Sequence, residues 1–175
     1  MDPEPLGAQG LTVERHRDAR DRSIAVRRLL LLVLLAAVMA ALFDVFGQRP
    51  TTSTTRSTAA TMSVQAPAEL RSGLIFQGRV DVTARRGIQK PILVFDKGWW
   101  ESMTLNAAAP EPTDWSSKGG RVALTYGRLP AGQAMTNWLY FQVNPTNVGH
   151  RSEDVQLYDG SQLLARTDRD VTIFP

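Results

Sequence analysis

The chain has 175 residues, no cysteine, and twenty lysines and arginines against seventeen acids. Its net charge of +3 is spread evenly: residues 1–28, 29–66 and 67–175 each carry a surplus of one. A nucleic-acid binder would concentrate that surplus on one face, so nucleic acid is excluded as the expected partner, and thiolate and disulfide chemistry are excluded outright.

Residues 1–10 hold Pro3, Pro5, Gly7 and Gly10 and little to bury, so they are expected to be disordered. Over 11–28 the charges fall at helical spacing, with Glu14 three residues before Arg17 and Asp18 four before Arg22. Residues 1–28 are read as a cytoplasmic tail whose second half is a basic juxtamembrane helix. From Leu29 to Phe43 no residue is charged, and Val45, Phe46 and Gly47 extend the run past Asp44. Leu29–Gly47 makes about 28 Å of helix, close to the ~30 Å hydrocarbon core, so 29–47 is expected to be one transmembrane helix in a lipid bilayer.

Six arginines precede the span and only Arg49 and Arg56 follow within twenty residues, which places the N-terminus in the cytoplasm and the C-terminal bulk outside it. Arg27 and Arg28 are read as the anchoring pair at anionic headgroups. A cleavable signal peptide competes with the anchor, since Val38-Met39-Ala40 offers small residues before a cut near Ala40 and would release the remainder as a secreted protein.

Nine of the thirteen residues 51–63 are Ser or Thr, and 48–66 is read as a flexible stalk. Beyond it, 67–175 is read as an extracytoplasmic β-sandwich domain. IFQGRVDVTA (75–84) alternates, with Phe76, Gly78, Val80, Val82 and Ala84 on one face. PILVF (91–95) suits a central strand, and MTLNA (103–107), RVALTY (121–126) and AMTNWLYFQV (134–143) follow. VQLYDGSQLLAR reads as a hairpin around Asp159-Gly160, and DVTIF (170–174) alternates to the end. About seven strands with regular turn signals predict an all-β, antiparallel sandwich.

The order VDVTARRG, NAAAP, ALTYGRLPAGQ and then a long strand resembles bacterial immunoglobulin-like and fibronectin type III-like adhesion-related modules. The resemblance covers roughly residues 70–145 and implies an exported structural or binding module of immunoglobulin-like fold. The Trp99-Trp100 pair in GWWES departs from that pattern, and no residue-level function carries over.

Little in the sequence carries chemistry. The two histidines, His16 and His150, fall on opposite sides of the predicted membrane, and His150 is expected in an exposed turn after Asn147-Val148-Gly149. Asp168, Asp170, Glu153, Asp154 and Asp159 could suit calcium, but Arg166 and Arg169 interleave with them, so no metal is expected. No catalytic residue and no cofactor are expected, and the chain is read as a non-enzyme.

The unexplained feature is aromatic. In 134–143 the odd positions Leu139, Phe141 and Val143 face the core, which turns Trp138 and Tyr140 outward. Trp138, Tyr140, Trp99 and Trp100 are the candidate surface contacts, unless a loop such as GWWES or EPTDW covers the outward pair. Their expected role is to hold another envelope or membrane protein; the alternative is stacking on cell-wall polysaccharide.

Overall fold

The structure, a computed structural model, describes residues 13–42 and 48–175. The chain divides into two compact units, 1–46 and 47–175. In the first, α1 (Val13–Leu42) is one uninterrupted helix of 30 residues, so the charged segment and the apolar run share a single rod. Leu29 to Leu35 are each 55–64% exposed at successive positions, which makes this part of the helix apolar on every side. Among the described residues no helix is long and apolar enough to cross a membrane. The last five residues of the expected span, 43–47, lie outside the described ones, as do residues 1–12 and the side chains of 13–23.

The second unit is all-β. Its strands in chain order are β1 (Pro50–Arg56), β2 (Ala60–Pro67), β3 (Glu69–Arg71), β4 (Ile75–Ala84), β5 (Pro91–Phe95), β6 (Met103–Ala109) and β7 (Asp114–Lys118). There follow β8 (Arg121–Thr125), β9 (Ala134–Val143), β10 (Gly149–Ser152), β11 (Val155–Asp159), β12 (Gln162–Thr167) and β13 (Asp170–Phe174). One five-stranded sheet runs β1-β2-β4-β9-β6 and another β12-β11-β5-β8-β7; a small third sheet, β10-β13-β3, contains the parallel pair β13–β3. Every other pairing is antiparallel. The two large sheets enclose one core, built from Met62, Val64, Val80 and Val82 with Leu139 and Phe141 on one side and Leu93, Phe95, Leu124 and Leu157 on the other.

The predicted strands 75–84, 91–95, 134–143 and 170–174 form with those bounds, and β5 lies inside its sheet, between β11 and β8. The hairpin closes at Gly160, whose φ of +59° is the left-handed conformation that glycine adopts without strain. The count of about seven strands is too low. β3, β7 and β10 are too short to show alternation in the sequence. The stalk expected over 48–66 is a hairpin of two strands.

That correction has a physical basis. β-Branched threonine suits a pleated strand as well as it suits a linker. On β2 the buried positions Ala60, Met62, Val64 and Ala66 alternate with polar ones, a period masked by small side chains. The hydroxyls of β1 have partners: Thr51 Oγ1 donates to the Ala66 carbonyl (3.1 Å), and Thr55 Oγ1 to the Arg166 carbonyl on β12 (2.9 Å).

One buried cation ties this hairpin to the opposite sheet. Arg169, between β12 and β13, is 6% exposed. One terminal nitrogen donates to Thr51 O (3.2 Å), Ser53 Oγ (3.2 Å) and Val64 O (3.3 Å); the other donates to Thr51 Oγ1 (3.2 Å) and Ala66 O (2.8 Å). Its Nε lies 3.6 Å from Oε2 of Glu153, which is fully buried, and among the described residues neither carboxyl oxygen of Glu153 has a hydrogen-bond partner. Burial pushes the Glu153 carboxyl up to about 8, against the pull of Arg169.

Two outcomes follow from this cluster. Arg169→Ala strands several buried acceptors and should lower the unfolding free energy by at least about 3 kcal/mol in denaturant titrations. Because the folded carboxyl binds its proton more tightly than the unfolded one, stability should fall as pH rises from about 4.5 to about 8. Glu153→Gln should remove that slope, and an unchanged slope would mean that the carboxyl is already ionised in the fold.

Candidate functional site

The four candidate aromatics do not form one site. After β5, the Asp96 side chain caps a single 3₁₀ turn, Lys97–Trp99, by accepting from the Lys97 N–H (2.9 Å). The same carboxylate accepts from Arg121 Nε (3.0 Å) and Ser152 Oγ (2.9 Å). Partial burial pushes the Asp96 carboxyl up, but these hydrogen bonds and the Arg121 charge outweigh it and hold the group below the usual carboxylate range. The turn so fixed drives Trp99 inward.

Trp99 is fully buried, contrary to its assignment as a surface contact. Its ring lies 5.5 Å from Phe95 and from Phe141 and 6.3 Å from Phe76, and its Nε1 donates to the Glu153 carbonyl (2.9 Å). The ring occupies the space above Gly78, where a Cβ would stand 2.7 Å from Cζ3 of the indole. The bare position in the inward row of β4 is thus the seat for a tryptophan twenty-one residues further on. Trp100 is half-buried and also packs inward, edge-on to Phe95 (6.3 Å) and Phe141 (5.4 Å). Trp115 on β7 meets it edge-on at 6.1 Å and is 47% exposed.

Trp138 and Tyr140 do face outward. On β9, Asn137, Leu139, Phe141 and Val143 are buried while Tyr140 is 37% exposed and Trp138 half-buried. The tryptophans of GWWES pack inward against Phe141, and that of EPTDW packs against Trp100, rather than over the pair. In register, Trp138 is flanked by Arg79 on β4 and Ala109 on β6, and Tyr140 by Gln77 and Ala107. The Arg79 guanidinium stands 4.7 Å from the centroid of the Trp138 ring, a cation–π contact. Its orientation is fixed by Asp81, which accepts from Arg79 Nε (3.0 Å) and from Thr136 Oγ1 (2.6 Å). Beside the indole runs a surface groove of about 380 Å³ whose polar lining is Gln48, Gln65, Gln77 and Arg79.

The acidic residues weighed for calcium are otherwise engaged. Arg166 bridges Asp154 and Asp168 (2.6 Å each), Asp159 Oδ1 accepts from the Gln89 and Lys90 N–H groups, and Glu153 faces Arg169. No group of three metal-type ligands occurs among the described residues. His150 is exposed but sits on β10 rather than in a turn, with Nδ1 3.2 Å from Thr172 Oγ1 and Nε2 3.9 Å from Asp170. Sequence reasoning missed Arg79, whose even spacing with Asp81 on one face of β4 was the available signal, and Trp115, whose short strand gives none.

The chain matches no family model and no curated protein. Among solved structures it is similar to AvmM, which catalyses macrocyclization in alchivemycin A biosynthesis, at 8% identity and a TM-score of 0.45 over 74% of this chain and 90% of that one. It is also similar to the CARDB domain of a Pyrococcus furiosus protein (10%, TM-score 0.41, 72% and 96% covered) and to a non-cellulosomal cohesin from Archaeoglobus fulgidus (12%, 0.38, 73% and 92%). Likenesses this distant say nothing about what the chain does.

The different settings of the tryptophans give a direct check. Trp99→Ala should cost about 3–5 kcal/mol of stability, whereas Trp138→Ala, at a half-exposed outer position, should cost about 1 kcal/mol or less. Chemical denaturation of the two variants should therefore separate them clearly, and equal losses would contradict the placement of one of the rings.

Proposed function

We propose that the chain is a non-enzymatic interaction module held at a membrane by α1, with its N-terminus cytoplasmic and its sandwich extracytoplasmic, and that it associates with another envelope or membrane protein. The contact surface is the outer face of β4, β9 and β6, centred on Trp138 and Tyr140. The observation that carries this reading is the outward aromatic pair on a long, rigid strand, supported from beneath by a packed core and braced by Arg79 and Asp81. An indole and a phenol offer large contact area and a polar tip at small entropic cost, which is why such residues dominate protein interfaces.

The membrane part rests on the helix. A rod that exposes leucine on every side needs an apolar surrounding, and Arg27 and Arg28, both exposed, stand immediately before the leucine run. A non-enzymatic role accords with side chains whose polar groups are spent on bracing strands.

A second reading is favoured by the groove beside Trp138, because amide side chains around an indole suit the hydroxyls and apolar face of a sugar ring. In it the ligand is a cell-wall polysaccharide.

A photocrosslinker at position 140, activated in native membranes, should yield a protein adduct that Trp138→Ala abolishes while leaving the fold intact. If adducts persist unchanged in that variant, the outer face is not the contact. If purified envelope polysaccharide shifts the tryptophan fluorescence of the full chain and Trp138→Ala removes the shift, the sugar reading replaces the protein one. A reporter fused after Pro175 that is active only inside cells would overturn the topology.

A further inference from the structure

Of the six strands that end a sheet, five carry a charge: Arg56 on β1, Asp114 and Lys118 on β7, Arg166 on β12, Glu69 and Arg71 on β3, and Arg151 on β10. β6, MTLNAAA, has neither charge nor proline. Charges, prolines and bulges are the usual means of keeping a foreign strand from adding to a sheet edge; among the described residues β6 is the one edge strand with neither charge nor proline, and its single interruption is the register shift at Asn106.

The surroundings of β6 fit a guest strand. On the outer face, Ala107 and Ala109 stand next to Tyr140 and Trp138, and their small side chains leave both rings reachable from the edge. Along the free edge a recess of about 320 Å³ opens between β6 and β7, lined by Leu105, Asn106, Ala107, Ala108, Glu111 and the exposed ring of Trp115. Alternate side chains of an added strand would thus meet the aromatic face on one side and the recess on the other, the arrangement by which strand addition gains specificity. Asn106 opposes no residue of β9, and its exposed amide sits at the middle of the edge.

Charge identifies the guest. Glu111 and Asp114, both exposed, flank the recess end of the edge, and among the described residues neither makes an ion pair. Lys118 does not neutralise them, since its ammonium lies 3.4 Å from the centroid of the Tyr158 ring and donates to the Gly160 carbonyl. A second copy of this chain is disfavoured. Full antiparallel pairing of β6 with itself sets Met103 opposite Ala109, and so continues to Glu101 opposite Glu111.

We propose that β6 accepts an extended, basic segment of another protein as a sixth strand of the β1-β2-β4-β9-β6 sheet, with one side chain in the recess against Trp115 and Leu105. This rests on the reading of the Trp138–Tyr140 face as a contact surface and names the form its partner takes.

The test uses the full chain in detergent micelles and ten-residue peptides that alternate valine with lysine, glutamine or glutamate, read by amide hydrogen exchange. The lysine peptide should slow exchange over 103–109 at about tenfold lower concentration than the glutamate peptide, the factor that 1.4 kcal/mol of charge preference produces. The double change Glu111→Gln and Asp114→Asn should erase that difference while slowed exchange at β6 remains. No slowing over 103–109 with any peptide overturns the proposal, as does slowing without peptide that grows with protein concentration, which would assign the edge to a second copy. If Trp138→Ala abolishes the membrane crosslink while β6 never responds, the edge proposal fails and the face reading stands. If β6 responds fully in Trp138→Ala and no crosslink depends on that residue, the edge stands without the face.

Discussion

Arg169 is the constraint around which the domain closes. It comes from the turn before the last strand, yet its guanidinium is spent on the first hairpin, more than a hundred residues away in sequence. A cation taken out of water is stabilising only if its donors find acceptors, and here the backbone carbonyls of Thr51, Val64 and Ala66 supply them. Its own backbone is held too: Glu153 N–H donates to the Arg169 carbonyl (2.7 Å), and Arg169 N–H to Asp154 Oδ1 (2.9 Å). The first and last parts of the sandwich are thereby fixed to each other through one side chain.

This clasp gives the sandwich two unlike flanks. On the β1–β12 flank, Thr55 and Thr167 share a hydroxyl contact (3.1 Å) and the terminal nitrogens of Arg169 bond across the seam, so the sheets are joined by hydrogen bonds. On the β6–β7 flank the sheets meet through rings, Trp100 against Trp115, with a recess beside them and a strand of small uncharged residues along its rim. One flank is sealed by hydrogen bonds made within the chain. The other holds its apolar groups at the surface, and it borders the outward face that carries Trp138 and Tyr140.

Much of the fold was legible from alternation, because the long strands β4 and β9 each have one face that must be buried and a period of two that cannot be mistaken. Their inward rows are correct residue by residue, including the outward turn of Trp138 and Tyr140. The first hairpin was misread because β1 is held by hydroxyls rather than apolar burial, and hydroxyl-rich composition is shared with linkers. Trp99 was misplaced for a different reason. Its burial depends on a turn capped by Asp96 and on a vacancy at Gly78, which lies twenty-one residues away on another strand. Pairwise fit between distant positions leaves no periodic trace in a single sequence.

That fit between Gly78 and Trp99 reaches beyond this one chain. The volume above β4 can be filled once, either by an indole dropping in from the turn or by a side chain rising from the strand, and the two exclude each other. Divergent versions of this sandwich should therefore trade bulk between the two positions in concert, so that a larger residue at the first accompanies a smaller one at the second.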